Sequence, residues 1–174
     1  MITYRTANID DVPEIARLHA ESWRQHYRGM LSDSFLDGPI WEDRISFWQV
    51  RMNDVSPLHY VILSEDHGEL CGFSCIVAEH DSRYGALLDN LHVLPGYQGE
   101  GIGRNLMKKS AKWLKQEYPD SSMYLWVFEK NIKARNFYNK LGGDHIETIT
   151  TEQVDGSKAS ICRYMWNDVT MLGS

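Results

Sequence analysis

The chain has 174 residues, 43% hydrophobic and 24% charged, the composition of one globular domain long enough for a substantial core. Its net charge of -6 argues against nucleic acid as the main partner, because phosphate binding needs a basic face; it is compatible with a cationic or amine-bearing partner. No apolar run approaches the roughly 20 residues needed to span a bilayer, so no membrane partner is expected. Arg5, Asp10 and Asp11 follow the first residue closely, which speaks against a signal peptide. Cys71, Cys75 and Cys162 are an odd number without a His or Cys partner at metal spacing, so free thiols in a reducing cytoplasm and no structural metal are expected.

Residues 2–6 predict a short strand. Asp10 and Asp11 ahead of Pro13 form a helix-start signal, and Val12, Ile15, Ala16, His19, Trp23, His26 and Tyr27 then recur at helical spacing. A connection from Gly29 to Gly38 leads to Pro39 and a second helix with Ile40, Trp41, Ile45, Trp48 and Met52 in register. Trp41 and Trp48 read as a core stripe. Leu58 to Ser64 and Leu70 to Glu79 read as strands around the turn signal Asp66-His67-Gly68. Cys71 and Cys75 fall on one face of the second strand, as small core residues.

A strand over residues 86–93 runs into a glycine loop and a helix over about 101–117, which Pro119-Asp120 ends. Met123 to Phe128 is another strand. Asn131 then reads as an N-cap, with Ala134, Phe137 and Leu141 on one helix face and Gly142 as the stop. Gly143 to Thr151 and Ser157 to Trp166 form a last hairpin around Asp155-Gly156. No repeat, low-complexity tract or linker interrupts the chain, so residues 1–174 read as a single α/β domain.

The order strand, glycine loop, helix over Leu87 to Met107 is the strongest chemical signal. It exposes backbone N–H groups at the positive end of a helix dipole, a ready site for phosphate or pyrophosphate. A nucleoside-triphosphate loop needs Lys and then Ser or Thr after its last glycine, whereas Gly103 precedes Arg104 and Asn105. The dinucleotide fingerprint spaces its glycines G-x-G-x-x-G, whereas these read Gly99-x-Gly101-x-Gly103. Neither fits. The segment resembles instead the acetyl-coenzyme A loop of the GNAT N-acetyltransferases, Q/R-x-x-G-x-G/A after a strand ending in Val-x-Pro. Gln98, Gly101 and Gly103 match it, with Val93 and Pro95 upstream. Asn131 to Gly142 resembles the family's second cofactor segment, N-x-x-A-x-x-F-Y-x-K-x-G, through Asn131, Ala134, Phe137, Tyr138, Lys140 and Gly142. There are two departures. Gly143 stands where relatives often have an aromatic residue, which is expected to loosen the following strand. Glu100 stands where many have a basic one, so Arg104 or a helix lysine would supply the positive charge.

The resemblance implies a single-domain GNAT fold, with a mixed, mostly antiparallel central sheet flanked by helices. It implies acetyl-CoA as cosubstrate and a small amine as acceptor, with a homodimer as an assembly to test. The implied cofactor site comprises Leu91, His92 and Val93 on the strand, Gln98, Gly99, Glu100, Gly101, Ile102, Gly103 and Arg104 in the loop and helix start, and Asn131, Tyr138 and Lys140 downstream. Leu91 would aim its N–H at the thioester oxygen and Val93 would bind the pantetheine arm.

Tyr138 sits at the family's general-acid position, and a phenol with a reference pKa of about 10 stays protonated at neutral pH. For the base, strand alternation puts Leu87, Asp89, Leu91 and Val93 on one face and Leu88, Asn90 and His92 on the other. Asp89 is preferred as base and as a contact for a cationic amine. His92, with a reference pKa of about 6.5, is the alternative. Trp23 and Tyr27, at i and i+4 beside the connection, are the acceptor-pocket candidates. The pattern Trp-x-x-x-Tyr-x-Gly resembles relatives that include spermine/spermidine-type acetyltransferases. The implied function is acetyl transfer to a primary amine of a small, polyamine-like molecule. Acetylation of a protein N-terminus or lysine would need an open groove, and a non-catalytic acetyl-CoA sensor would need neither Tyr138 nor Asp89.

Overall fold

The computed structural model describes residues 1–54 and 58–173. Seven strands form one sheet in the order β1-β2-β3-β4-β5-β7-β6: β1 is Ile2–Thr6, β2 His59–Asp66, β3 Glu69–Asp81, β4 Gly85–Val93, β5 Met123–Phe128, β6 Asp144–Glu152 and β7 Lys158–Trp166. Every neighbouring pair is antiparallel except β4 and β5. A parallel pair needs a long crossover, supplied by helix α4, Ile102–Glu117. The β4–β5 ladder contains only Ala86 opposite Met123 and Leu87 opposite Tyr124. Beyond Leu87 the two strands part, and the gap becomes the cleft.

The helices form a layer on each side of the sheet. On one face α1, Val12–His26, and α3, Ile40–Asn53, bury Val12, Ile15, Ala16, Leu18 and Trp48 against Val61, Leu63, Phe73 and Cys75. On the other, Met107, Ala111 and Leu114 of α4 pack on Ile76, Ala78, Leu88, Leu125 and Val127. Buried positions of α4 recur at 102, 106, 107, 110, 111 and 114, the one-sided stripe of a 3.6-residue period. Each large apolar side chain fully buried in this way contributes roughly 1.5–3 kcal/mol. Ser110 is buried in the stripe and satisfied by the Ser74 hydroxyl at 2.9 Å. Among the described residues no helix is long and apolar enough to cross a membrane.

The structure corrects four sequence readings. The connection before α3 contains a one-turn helix, α2, Asp33–Asp37, which buries Leu36; five residues are too few to show a period. Trp48 is fully buried, but Trp41 is 37% exposed, because it is the next residue after buried Ile40 and so points off the stripe. Cys71 and Cys75 do not share a face. Cys71 packs with Ile62, Ile102 and Leu106, and Cys75 with Phe73 and Trp48, because the β2–β3 register slips between Ser64 and Glu65. The fourth correction lies in β4. Its register with β3 steps from Cys75 opposite Asn90 to Ile76 opposite Leu88, which makes Asp89 the extra residue of a bulge. Strict alternation therefore fails: Leu88 lies on the α4 side with Leu91 and Val93, while Asn90 and His92 stand opposite Cys75 and Phe73 on the other.

The Gly142-Gly143 pair after helix α5, Ile132–Lys140, has its own reason. Gly142 takes φ +77° and donates to Asn139 O at 3.0 Å, while Gly143 donates to Tyr138 O at 3.0 Å. This paired left-handed stop satisfies the last helical carbonyls. A Cβ on Gly143 would come within 2.6 Å of the Trp166 ring, whose Nε1 donates to Leu141 O at 2.9 Å. The aromatic comes from β7 instead, and β6 begins at once at Asp144.

Candidate active site

A cavity of about 720 Å³ fills the gap between β4 and β5, with α1 at one wall and α5 at the other. It is lined by Trp23, Tyr27, Asp89, Leu91, His92 and Val93. The loop residues Gln98, Gly99, Gly101, Ile102, Gly103 and Arg104 join them, as do Asn131, Tyr138 and Lys140. Glu100 is exposed and lies outside the lining, so this carboxylate turns away from the place where an anion would sit.

At one end, Gly101 is the residue before α4, with φ +81° and no atom within 4 Å of the position a Cβ would take. The helix start has no side-chain cap, which leaves its first N–H groups available to an anion. Arg104, Lys133 and Lys140 add positive charge to the lining. Gln98 ties the loop together: its Nε2 donates to Val93 O at 2.9 Å and lies 3.2 Å from His26 Nε2, while Lys133 Nζ donates to its Oε1 at 2.5 Å. His26 Nδ1 lies 2.8 Å from the Ser22 carbonyl and so donates to it. Sequence reasoning missed Lys133 and His26. Lys133 sits at an unspecified position of its motif, and His26 carried only a helical period.

Tyr138 is 9% exposed and held by a tilted contact to Tyr164 and an edge contact to Trp166, centroids 6.1 Å apart in each case. Burial, and then neighbouring Tyr27, raise its pKa above the usual phenol range, so it stays protonated. The Asn131 side chain accepts from Ala134 N at 3.2 Å, the expected N-cap.

The two base candidates sit in different surroundings. Asp89 Oδ2 accepts from Arg51 Nη2 and from Asn90 Nδ2, both at 3.0 Å. The same Arg51 reaches Cys75 Sγ at 3.1 Å, a thiol that burial pushes up to about 12. His92 is half-buried, with Nδ1 2.8 Å from the Ser22 hydroxyl and its ring 4.6 Å from that of His19. Burial, then His26 and Arg44, push its pKa down to about 3, so it is neutral at physiological pH. Trp48 Nε1 donates to His19 Nδ1 at 3.0 Å, which fixes the His19 proton on Nε2.

The far end is aromatic. Trp23 and Tyr27 lie 5.3 Å apart, and Tyr27 meets Phe128 of β5 at 4.8 Å. Burial raises the Tyr27 phenol to about 12. Trp126, Gln153, Val154 and Ile161 complete this end. None of these four, nor Phe128, was singled out from the sequence; the alternation of Trp126 and Phe128 along one face of β5 was the available signal. Ser32 N donates to Asp155 Oδ2 at 2.6 Å, joining the α1–α2 connection to the β6–β7 turn. Among the described residues no cluster of His, Cys, Asp or Glu could hold a metal ion.

Comparison with known proteins bears on this geometry. A sequence profile of the Acetyltransferase (GNAT) family matches residues 15–143. An uncharacterized N-acetyltransferase of Bacillus subtilis, YuaI, is 30% identical over 134 residues, covering 75% of this chain and 74% of that protein. A spermine/spermidine N(1)-acetyltransferase of the same species is 27% identical over 63% of this chain and 78% of its own. Among solved structures, the PaiA N-acetyltransferase of Thermoplasma acidophilum in complex with coenzyme A superposes with a TM-score of 0.68 at 20% identity, covering 95% of this chain and 99% of that one.

Proposed function

The chain belongs to the GNAT acetyltransferase family and is an acetyl-CoA-dependent N-acetyltransferase; from that premise we propose that its acceptor is the primary amine of a small molecule, acetylated by direct transfer. The observation that carries the reading is the hydrogen bond between Ser32 and Asp155. Their chain neighbours Leu31 and Val154 both line the cavity, so helix connection and hairpin meet across its acceptor end. A polypeptide needs a groove that runs on past this point, whereas a small amine fits in front of the contact. The spermine/spermidine N(1)-acetyltransferase is a relative whose name specifies a small-molecule acceptor.

In this reading acetyl-CoA supplies the activated acetyl thioester. Gln98, Gly99, Gly101, Ile102, Gly103 and the N-terminus of α4 hold its pyrophosphate, assisted by Arg104, Lys133 and Lys140. Asn131 caps α5 and so positions Tyr138. The unpaired edge of β4 beyond Leu87 offers main chain to the cofactor: Val93 to the pantetheine arm, Leu91 N–H to the thioester oxygen as negative charge develops there. Asp89 takes the proton of the attacking amine, directly or through a water, and Arg51 holds its carboxylate in position. Tyr138 gives its proton to the sulfur as the C–S bond breaks and regains one from solvent. His92, neutral and fixed by Ser22, forms part of the cavity lining.

The test compares kcat/KM for a panel of small primary amines with that for short peptides carrying a free N-terminus or a lysine, by thiol release at saturating acetyl-CoA. Small amines should lead by at least about tenfold. Peptides turned over as well or better would overturn the small-molecule reading and leave the acetyltransferase assignment intact.

A further inference from the structure

We infer that the acceptor joins its amine to an uncharged aromatic or aliphatic body, and that a polyamine is a poor substrate; the inference rests on the small-molecule reading above. It comes from what the acceptor end offers and from what its polar groups are already doing. The continuous wall of Trp23, Tyr27, Phe128 and Ile161 is apolar surface that an apolar body would cover and a hydrated cationic chain would not.

A polyamine brings further ammonium groups, each of which loses water on entering and needs a carboxylate or an aromatic face in return. The lining supplies one carboxylate. Asp89, the acidic residue among those lining the cavity, is paired with Arg51 at 3.0 Å. Asp155, at the rim, spends its oxygens on Ser32 N at 2.6 Å and on Ser157 N and Oγ at 3.0 and 2.6 Å.

An aromatic face returns less to an ammonium than the water it loses is worth. The Arg44 guanidinium lies 4.2 Å over the Trp23 ring, and that of Arg163 lies 4.2 Å over Trp126. Each tryptophan already has a cation on one face, supplied by the chain itself. A second ammonium would therefore find no further carboxylate in the lining once Asp89 has met the reacting amine. One amine can enter neutral or be met by Asp89, but an extended polycation has no such path.

The experiment measures kcat/KM for 2-phenylethylamine, hexylamine and spermidine by thiol release, with acetyl-CoA binding followed separately by calorimetry. Both monoamines should exceed spermidine by at least about tenfold. Ile161→Glu adds a carboxylate to the wall; it should reduce turnover of 2-phenylethylamine and raise that of spermidine, closing most of the gap. Spermidine equal to or better than both monoamines in the wild-type enzyme would overturn the inference, and would leave the small-amine reading standing. Turnover of none of the three while acetyl-CoA binds would instead remove the small-amine reading and the inference with it. The wild-type comparison decides the matter even if the variant does not fold.

Discussion

The two ends of the cleft are built from different materials. The cofactor end uses main chain: the residues around Gly101 and the uncapped start of α4 follow one another within seven positions. The acceptor end uses side chains drawn from α1, the α1–α2 connection, β5, the β6–β7 turn and β7. A backbone cradle constrains sequence tightly and locally, because glycine is needed where φ is positive or an anion comes close. A side-chain wall constrains only shape and polarity, which many residues at scattered positions can meet. One end therefore announces what it binds, and the other leaves the chain free to change acceptor while keeping its cofactor.

The sharpest way to break this comparison is Gly101→Val. A β-branched residue at φ +81° is strained and fills the space of the pyrophosphate. Calorimetry should show acetyl-CoA affinity falling by more than about 100-fold, with circular dichroism unchanged. Normal binding would mean that the cradle lies elsewhere. Tyr138→Phe tests the junction of the two ends. The ring still packs on Tyr164 and Trp166, so kcat should fall by about 100-fold while the KM for acetyl-CoA stays within a few-fold.

Asp89→Asn should lower kcat/KM by about tenfold and be partly rescued at high pH, where more of the free amine is neutral. His92→Gln should leave that pH dependence nearly unchanged. The His92 pKa lies near 3 in the folded protein against 6.5 for the free side chain. Its neutral burial therefore stabilises the fold fully above about pH 6.5 and is lost as pH falls towards 3, where the unfolded chain binds the proton first. Thermal melts should weaken over that window in the wild type and less so in His92→Gln. An ascending limb of kcat near pH 6.5 that His92→Gln removes would reverse the two roles. The smallest effect concerns stability alone. Gly143→Ala forces a methyl group to within 2.6 Å of Trp166 and should cost about 1–3 kcal/mol, read as a lowered Tm with little change in KM.

The sequence was legible where one local rule governed the outcome. The strand Met123–Phe128, the N-cap at Asn131 and the hairpin at Asp66-His67-Gly68 follow from period, cap and turn chemistry, and the structure has all three. It was illegible where tertiary register decided. The bulge at Asp89 is invisible in a strand that reads as regular alternation, yet it changes which side chains share a face. The slip beside Cys71 separated two thiols in the same way. Trp126, Phe128 and Ile161 looked like ordinary sheet residues, because their role depends on the early parting of β4 and β5, which no spacing encodes. Arg51 and Arg44, which occupy Asp89 and the Trp23 face, lie on a helix read only for its apolar stripe.

The most direct test of the central claim supplies the enzyme with acetyl-CoA and a small primary amine, then measures free thiol and N-acetylated amine in the same sample by colorimetry and mass spectrometry. The two should accumulate in equal amounts, with no acetyl group retained on the protein. Acetyl-CoA that binds but releases no thiol above its uncatalysed hydrolysis, or an acetyl group found on the chain itself, would contradict the account.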